Sequence, residues 1–389
     1  MKKQALLFLL LSSLVATGCN NTSRSKGPEI EDLGVKDFHT ELMNQYLQDP
    51  NWENIKQYVP VVNAENSSYH DDQSQPNPIK LEFAEVEATA DNKYYVEIAK
   101  NAEFSNAKVV EVTSEAKAYN FYNSELGQEY YFRAAVSQEA LAAAKIKKFK
   151  VTDVAPRFMH VDGVINFRDA GGWKSSLVKD GVVKQGMYYR CAQFNSGSRK
   201  NITEEGLKTI KELNIKVDID MRDSMNVPSE SPINTEDHPV EILKGSVASG
   251  SEDGRWEGDH EKDHNIAATY KKIFEAIAVA DEKPIALHCT HGADRTGIVS
   301  WFLLGLLGVS KEDCARDYVM TRFAGERAVL PADDSTGKSE IAKWNAKTEA
   351  LEGATWAEKT YKHLNEDFGI STETLETIRT KFVAGYKAA

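Results

Sequence analysis

The sequence predicts an α/β domain with a mostly parallel central sheet flanked by helices, preceded by a small all-β sandwich. Three observations lead there. The chain has 389 residues, 41% of them hydrophobic, more than one ordinary core needs and enough for about two domains. Between 79 and 153 it runs through short stretches rich in β-branched and aromatic residues, separated by turn-type residues. From about 155 onward, compact apolar runs alternate with stretches of helical length and spacing, the pattern of strands joined by crossover helices.

The first element is a processing signal. Lys2 and Lys3 precede the apolar run "ALLFLLLSSLV" and the small-residue stretch "ATGC" that ends at Cys19. That run is too short and wrongly flanked for a stable membrane span. Small residues before a cysteine resemble a bacterial lipoprotein signal, with residues 1–18 removed and Cys19 lipidated. Ala16 stands where that pattern prefers Leu, and the alternative is an ordinary secretory signal with an incidental cysteine. Either way the chain is expected to be exported. The polar "NNTSRSKG" that follows lacks an acidic cluster, so the expected location is a periplasm-facing lipid anchor on a bacterial membrane.

Residues 19–77 are read as a tether and a weakly structured linker region. "DFHTELMNQYLQ" at 37–48 has apolar residues at roughly helical spacing, and "NAENSSYHDDQSQPNP" has no period of either kind. The next segment, 78–153, holds "IKLEFAEVEA", "KYYVEIA", "AKVVEVT", "KAYNFYN", "EYYFRAAV" and "IKKFKVTDV", five or six strands in about 75 residues, as in a β-sandwich. At "KYYVEIAKNAEFSN" and "LGQEYYFRAAV" it resembles a fibronectin type III module. Such a module implies a spacer or a docking surface for a protein or glycan, without chemistry of its own.

In the third segment, 156–389, "KVDIDM" and "PIALHC" are strand-like, while "EEGLKTIKEL", "IAATYKKIFEAIAVA" and "TGIVSWFLLGLLG" are helical. The last of these is only the length of a core helix. Ligands bind beyond the carboxyl ends of strands in such sheets, so the loop "HCTHGADRTG" at 288–297 is the place to look for chemistry. The formal net charge is -12 and no long basic run appears, which excludes electrostatic attraction to nucleic acid.

That loop joins a strand end to a helix start. A tight turn there aims successive backbone N–H groups inward while the helix N-terminus adds its positive end, a site suited to a phosphate-like dianion formed by Thr290, His291, Gly292, Ala293, Asp294 and Arg295. Gly292 permits the close turn, and the planar fork of Arg295 holds two oxygens at once. The same field favours the thiolate of Cys289, with Thr296 placed to donate to the sulfur. A buried structural cysteine is the bland alternative, and His288, Gly292, Arg295, Thr296 and Gly297 in register with it weigh against that. Of the four cysteines, Cys191, Cys289 and Cys314 remain after processing, an odd number that leaves at least one thiol free.

"HCTHGADRTG" matches the H-C-x5-R-(S/T) signature of the protein tyrosine phosphatase superfamily. More narrowly the chain resembles the bacterial branch with NFRDxGG and HCxxGKDRTG motifs. It carries "NFRDAGG" at 166–172, "MYYRCAQF", "EEGLKTIKELNIKVDIDMRD", "DYVMT" at 317–321 and "FGISTETLETIRTKFV" at 368–383 in matching order.

The resemblance implies hydrolysis of a phosphate monoester through a phosphocysteine on Cys289, with Arg295 and the loop amides on the equatorial oxygens and no metal or other cofactor. Asp294 is the first candidate for the acid that protonates the leaving oxygen. Asp253 and Asp259, in "SGSEDGRWEGDHEKD", are the alternatives, at the distance of a separate acid-bearing loop. Asn166, Arg168 and Asp169 are expected to brace the loop from beneath, with Arg190 serving similarly. Asp220 and Arg222 match positions near the site, where direct catalysis and ion pairing between loops are equal expectations. Cys191 is read as a small packing residue, with a reversible bond to Cys289 as the lesser reading.

Ala293 stands where the family pattern has Lys. An extra cation there would favour substrates with several phosphates, so Ala293 moves a phosphotyrosine or phosphoserine/threonine ester ahead of a phosphoinositide or inositol polyphosphate, with His291 able to restore some charge. A reading of another class is a non-catalytic phospho-ligand or surface-binding protein, against which the intact Cys289 to Arg295 set counts.

Overall fold

The computed structural model describes residues 30–53, 57–58, 72–195, 201–222, 228–244, 260–280, 283–325 and 340–388. The first part of the chain builds β1 (Ile30–Lys36), α1 (Glu41–Gln48), β2 (Ile79–Glu82), β3 (Lys93–Ala99), β4 (Lys108–Thr113), β5 (Ala118–Phe121), β6 (Glu129–Ala135) and β7 (Ile146–Val151). Five strands form one sheet in the order β1-β7-β6-β3-β4, and β2 pairs with β5 in a second. Strict alternation decides which way these strands face. In β3, Tyr94, Val96 and Ile98 are buried and Lys93, Tyr95 and Glu97 lie on the wetter face, and Tyr130, Phe132 and Ala134 repeat this in β6. Ile79 and Leu81 of the small sheet join Tyr94, Val96, Phe132 and Phe149 in one apolar cluster.

Two elements fall inside the stretch read from sequence as tether and linker. β1 pairs parallel with β7, bending at Gly34, whose φ of +71° and N–H to Asp32 Oδ1 at 2.9 Å make a local turn between Asp32 and Val35. Its sequence "IEDLGVK" shows no period-2 apolar face because it lies at a sheet edge with most side chains in water. α1 begins at Thr40, whose hydroxyl accepts from Met43 N–H at 3.1 Å. Its apolar face leaves the first part altogether, since Met43 and Tyr46 pack in the core of the second.

The second part contains β8 (Arg157–Phe158), β9 (Arg168–Asp169), the short ribbon β10 (Lys174–Ser175) and β11 (Gly181–Val182), β12 (Tyr188–Cys191), α2 (Glu204–Glu212), β13 (Val217–Asp220), β14 (Glu241–Lys244), α3 (His260–Val279), β15 (Ile285–His288), α4 (Asp294–Leu306), α5 (Lys311–Val319), α6 (Glu340–Ala350), α7 (Trp356–Glu366) and α8 (Thr372–Phe382). Its sheet runs β14-β13-β15-β12-β9-β8. The first four strands pair parallel, and β9 and β8 add antiparallel. Val217, Ile219, Ile285 and Leu287 face α3 and α4, while Tyr189, Cys191 and Ala286 face Ile210 near the end of α2. Every residue of α4 from Thr296 to Leu306 is buried, as befits a helix apolar all round. Among the described residues no helix is long and apolar enough to cross a membrane.

A buried seam joins the two parts. Arg157 donates to the Ser124 carbonyl at 2.8 Å and the Asn123 carbonyl at 2.7 Å on one side, and to Asp169 Oδ2 at 2.7 Å on the other. Gln185 exchanges two hydrogen bonds with the backbone of Leu126, and Gln73 N–H donates to the Phe323 carbonyl at 2.7 Å. Burial pushes the Asp169 carboxyl above its ordinary range even against Arg157 and the N–H groups of Gly186 and Gly171. Arg157→Met, which strands that carboxylate, is expected to cost about 3 kcal/mol in urea unfolding. The loss should grow from acidic to alkaline pH, because a stranded Asp169 must ionise or stay protonated at rising cost. An unchanged midpoint would remove the seam from the account of stability.

Candidate active site

β15 delivers His288 and Cys289 to the carboxyl edge of the parallel strands, and α4 starts five residues later at Asp294. The turn between them depends on Gly292. Its φ is +66°, and a Cβ there would sit 2.3 Å from the Cys191 carbonyl oxygen, so only glycine lets the loop lie on the end of β12. Helices α2, α5, α7 and α8 each begin with a Ser or Thr hydroxyl accepting from a first-turn N–H. α4 begins at Ala293 with no side-chain cap, so the positive end of the helix faces the loop without a capping oxygen of its own.

Cys289 is buried beside this open helix end. Burial alone would push its thiol up, but the Arg295 guanidinium and the nearby Thr296 hydroxyl and N–H outweigh it, against an opposing push from Asp294, and the thiol is held below its ordinary range. Arg295 is partly exposed and steadied by Nη1 donating to the Met221 carbonyl at 2.7 Å. Asp294 is exposed on the first turn of α4. Thr290 and His291 are partly exposed, and Ala293 is buried.

Beneath the loop, Asn166 Nδ2 donates to the carbonyls of His291 and Gly292, both at 3.2 Å, and Arg190 Nη2 donates to the Gly292 carbonyl at 2.9 Å. Arg168 reaches the loop only through Asn166 Oδ1. Asp169 does not brace the loop. Neighbouring residues of a strand face opposite ways, and while Arg168 turns toward the loop, Asp169 turns to Arg157 and to the N–H groups of Gly171 at 2.8 Å and Gly186 at 2.6 Å.

On the other face of the sheet a second charged group collects. His288 Nε2 lies 3.0 Å from Asp218 and 3.8 Å from Asp220, and its Nδ1 is 3.2 Å from the Cys289 carbonyl. Burial would lower the His288 pKa, but Asp218 and Asp220 prevail and raise it. Asp220 and Arg222 pair with one another, Nη2 to Oδ2 at 2.6 Å, and Arg222 Nη1 donates to Gln193 at 3.0 Å. Cys191 packs with Phe194 and Ile210 on the face away from Cys289, and burial pushes its thiol far up.

Cys19, Asp253 and Asp259 lie outside the described residues. Asp218 and Asp317, which organise the two charged groups, went unread in the sequence. Their only signal was an acid inside an apolar strand, "VDID", and the head of "DYVMT".

Alkylation of Cys289 by iodoacetamide should follow a titration below the ordinary thiol value of about 8.5, whereas Cys191 and Cys314 stay unreactive. Arg295→Met is expected to move that titration upward. A parent midpoint at the ordinary value would contradict the electrostatic account.

A family model for the tyrosine phosphatase family matches residues 159–384. Over 52 residues the chain is 38% identical to a tyrosine-protein phosphatase of Nostoc commune, a match that covers 13% of this chain and 18% of that relative. Among solved structures it is similar to TpbA of P. aeruginosa, at 13% identity and a TM-score of 0.27 over 54% of this chain and 96% of that one. A TpbA variant in complex with pTyr matches at 13% identity and 0.26, over 46% and 97%. The family match spans the loop at 288–297, the "NFRDAGG" turn beneath it and the helices behind it, and by it the chain belongs to the tyrosine phosphatase family.

Proposed function

We propose that this chain hydrolyses phosphate monoesters through a phosphocysteine, with phosphotyrosine in proteins as its foremost substrate and phosphoserine or phosphothreonine beside it. The observation that carries this reading is Cys289 set at the open N-terminus of α4 with Arg295 and Thr296 lowering its thiol. The thiolate attacks phosphorus, the bond from phosphorus to the ester oxygen breaks, and that oxygen takes a proton from Asp294. Water then attacks the phosphocysteine, giving its proton to Asp294, and the sulfur leaves as thiolate with release of inorganic phosphate. Arg295 and the first-turn amides hold the equatorial oxygens as charge builds on them.

Exposure of Asp294 at the mouth supports its part as acid, with Asp253 and Asp259 as the second choice. Ala293 is buried and brings no cation, which supports a substrate with a single phosphate. The shared cluster between the five-stranded sheet and β2–β5 supports reading the first part as a sandwich of the fibronectin type III kind. Export and lipidation at Cys19 would place the enzyme on a membrane surface facing the periplasm.

Cys289→Ser is expected to abolish hydrolysis of p-nitrophenyl phosphate, vanadate to inhibit the parent, and chelators to leave it unchanged. Full activity in the serine variant would sink the reading. Asp294→Asn should lower kcat by about 10²–10⁴-fold for esters with poor leaving groups and far less for good ones. An equal loss on both would leave Asp294 a structural role only. Phosphate release from phosphotyrosine peptides, set against inositol phosphates, decides the substrate class.

A further inference from the structure

The loop that would hold phosphate has an inner side. In a trans peptide the C=O of one residue and the N–H of the next point opposite ways. Where the carbonyls of His291 and Gly292 are drawn inward by Asn166 and Arg190, the N–H groups of Gly292 and Ala293 must therefore point outward. Whatever fixes those inner donors also aims the amides.

Both guanidiniums under the loop converge on one acid. Arg168 Nε donates to Asp317 Oδ1 at 2.9 Å and its Nη2 to the Asp317 carbonyl at 2.8 Å, while Arg190 Nη1 donates to Oδ2. Arg168 also donates to Thr321 at 3.1 Å and, through Nη1, to Asn166 Oδ1. Asp317, Arg168 and Arg190 are each no more than 1% exposed. Two buried cations this close repel unless an anion lies between them, and water cannot take its place. Asp317 sits at the carboxyl-terminal end of α5, so α5 is tied to the loop by charge.

We propose that Asp317 is a positioning residue of the phosphate loop. It fixes Arg190 and Arg168, which hold the carbonyls of Gly292 and His291 inward, directly and through Asn166, and so turn the amides of Gly292 and Ala293 toward the anion. The inference rests on the phosphatase reading above. Asp317 touches neither substrate nor sulfur, and its effect passes wholly through the arginines.

The test uses the full chain and three variants: Asp317→Asn, Arg190→Lys and the two combined. Asn keeps the shape and loses the charge. Lys keeps a charge for Asp317 but lacks the second arm that reaches Gly292. With every variant assayed well below its own Tm, Asp317→Asn is expected to lower kcat/KM by about 10²–10³-fold and to raise the vanadate inhibition constant in proportion, the effect of losing one oxyanion donor. Arg190→Lys should do the same with little change in Tm, and the combined variant should lose no more than the worse single change. If Asp317→Asn does not fold, Arg190→Lys alone carries the question. Wild-type vanadate inhibition in a folded Arg190→Lys or Asp317→Asn, or additive losses in the combined variant, would overturn the inference. A parent that neither hydrolyses p-nitrophenyl phosphate nor binds vanadate would instead overturn the phosphatase reading, and this inference with it.

Discussion

A loop that offers its amides to an anion must hide its carbonyls, and hidden carbonyls need buried donors. That constraint organises the second part of the chain. The carbonyls of His291 and Gly292 call for Asn166 and Arg190. A buried Arg190 calls for Asp317, and Asp317, holding one arginine on each oxygen, brings in Arg168. Each member is expensive alone and tolerable only in company, which is why three charged side chains lie in a core that also holds Trp301, Tyr318 and Phe158.

The sheet separates two electrostatic tasks. Arg190 and Cys289 lie toward α4, while His288, Asp218 and Asp220 share the opposite face. Two neighbouring residues thereby acquire opposite pH behaviour. His288 has a raised pKa, so its contribution to stability is full below the ordinary histidine value and is lost as pH rises through the folded one. The depressed Cys289 thiol contributes above its unfolded value, and that contribution is lost as pH falls through the folded one. The same separation puts Cys191 in the cluster with Phe194 and Ile210 on one face of the sheet and Cys289 in the cluster on the other.

Most of the site was legible because its chemistry is local. Nine residues from Cys289 to Gly297 encode a strand end, a left-handed glycine and an open helix start, and the spacing alone puts Arg295 near the sulfur. Bracing by Asn166 was legible from a polar residue beside a Gly-rich turn. What stayed hidden comes from distance along the chain and from alternation. Asp317 meets Arg168 across 149 residues, a separation no local pattern encodes. Asp169 was misread as a brace because adjacent residues in β9 face opposite ways, and the sequence does not say which faces the loop. β1 was missed because an edge strand with wet side chains carries no apolar period.

The pairing of β1 with β7 has a mechanical side. The two strands run in the same direction, and β7 leads at its far end straight into Arg157 and the second part of the chain. A pull on the chain at Ile30, resisted by that part, therefore acts on opposite ends of the pair. It loads the backbone hydrogen bonds together, in shear, where an antiparallel hairpin pulled from its open end would unzip them one at a time. α1 then anchors the same segment in the second core through Met43 and Tyr46. Drag on the chain ahead of residue 30 is thus met by a locked joint before it reaches the loop that holds Cys289.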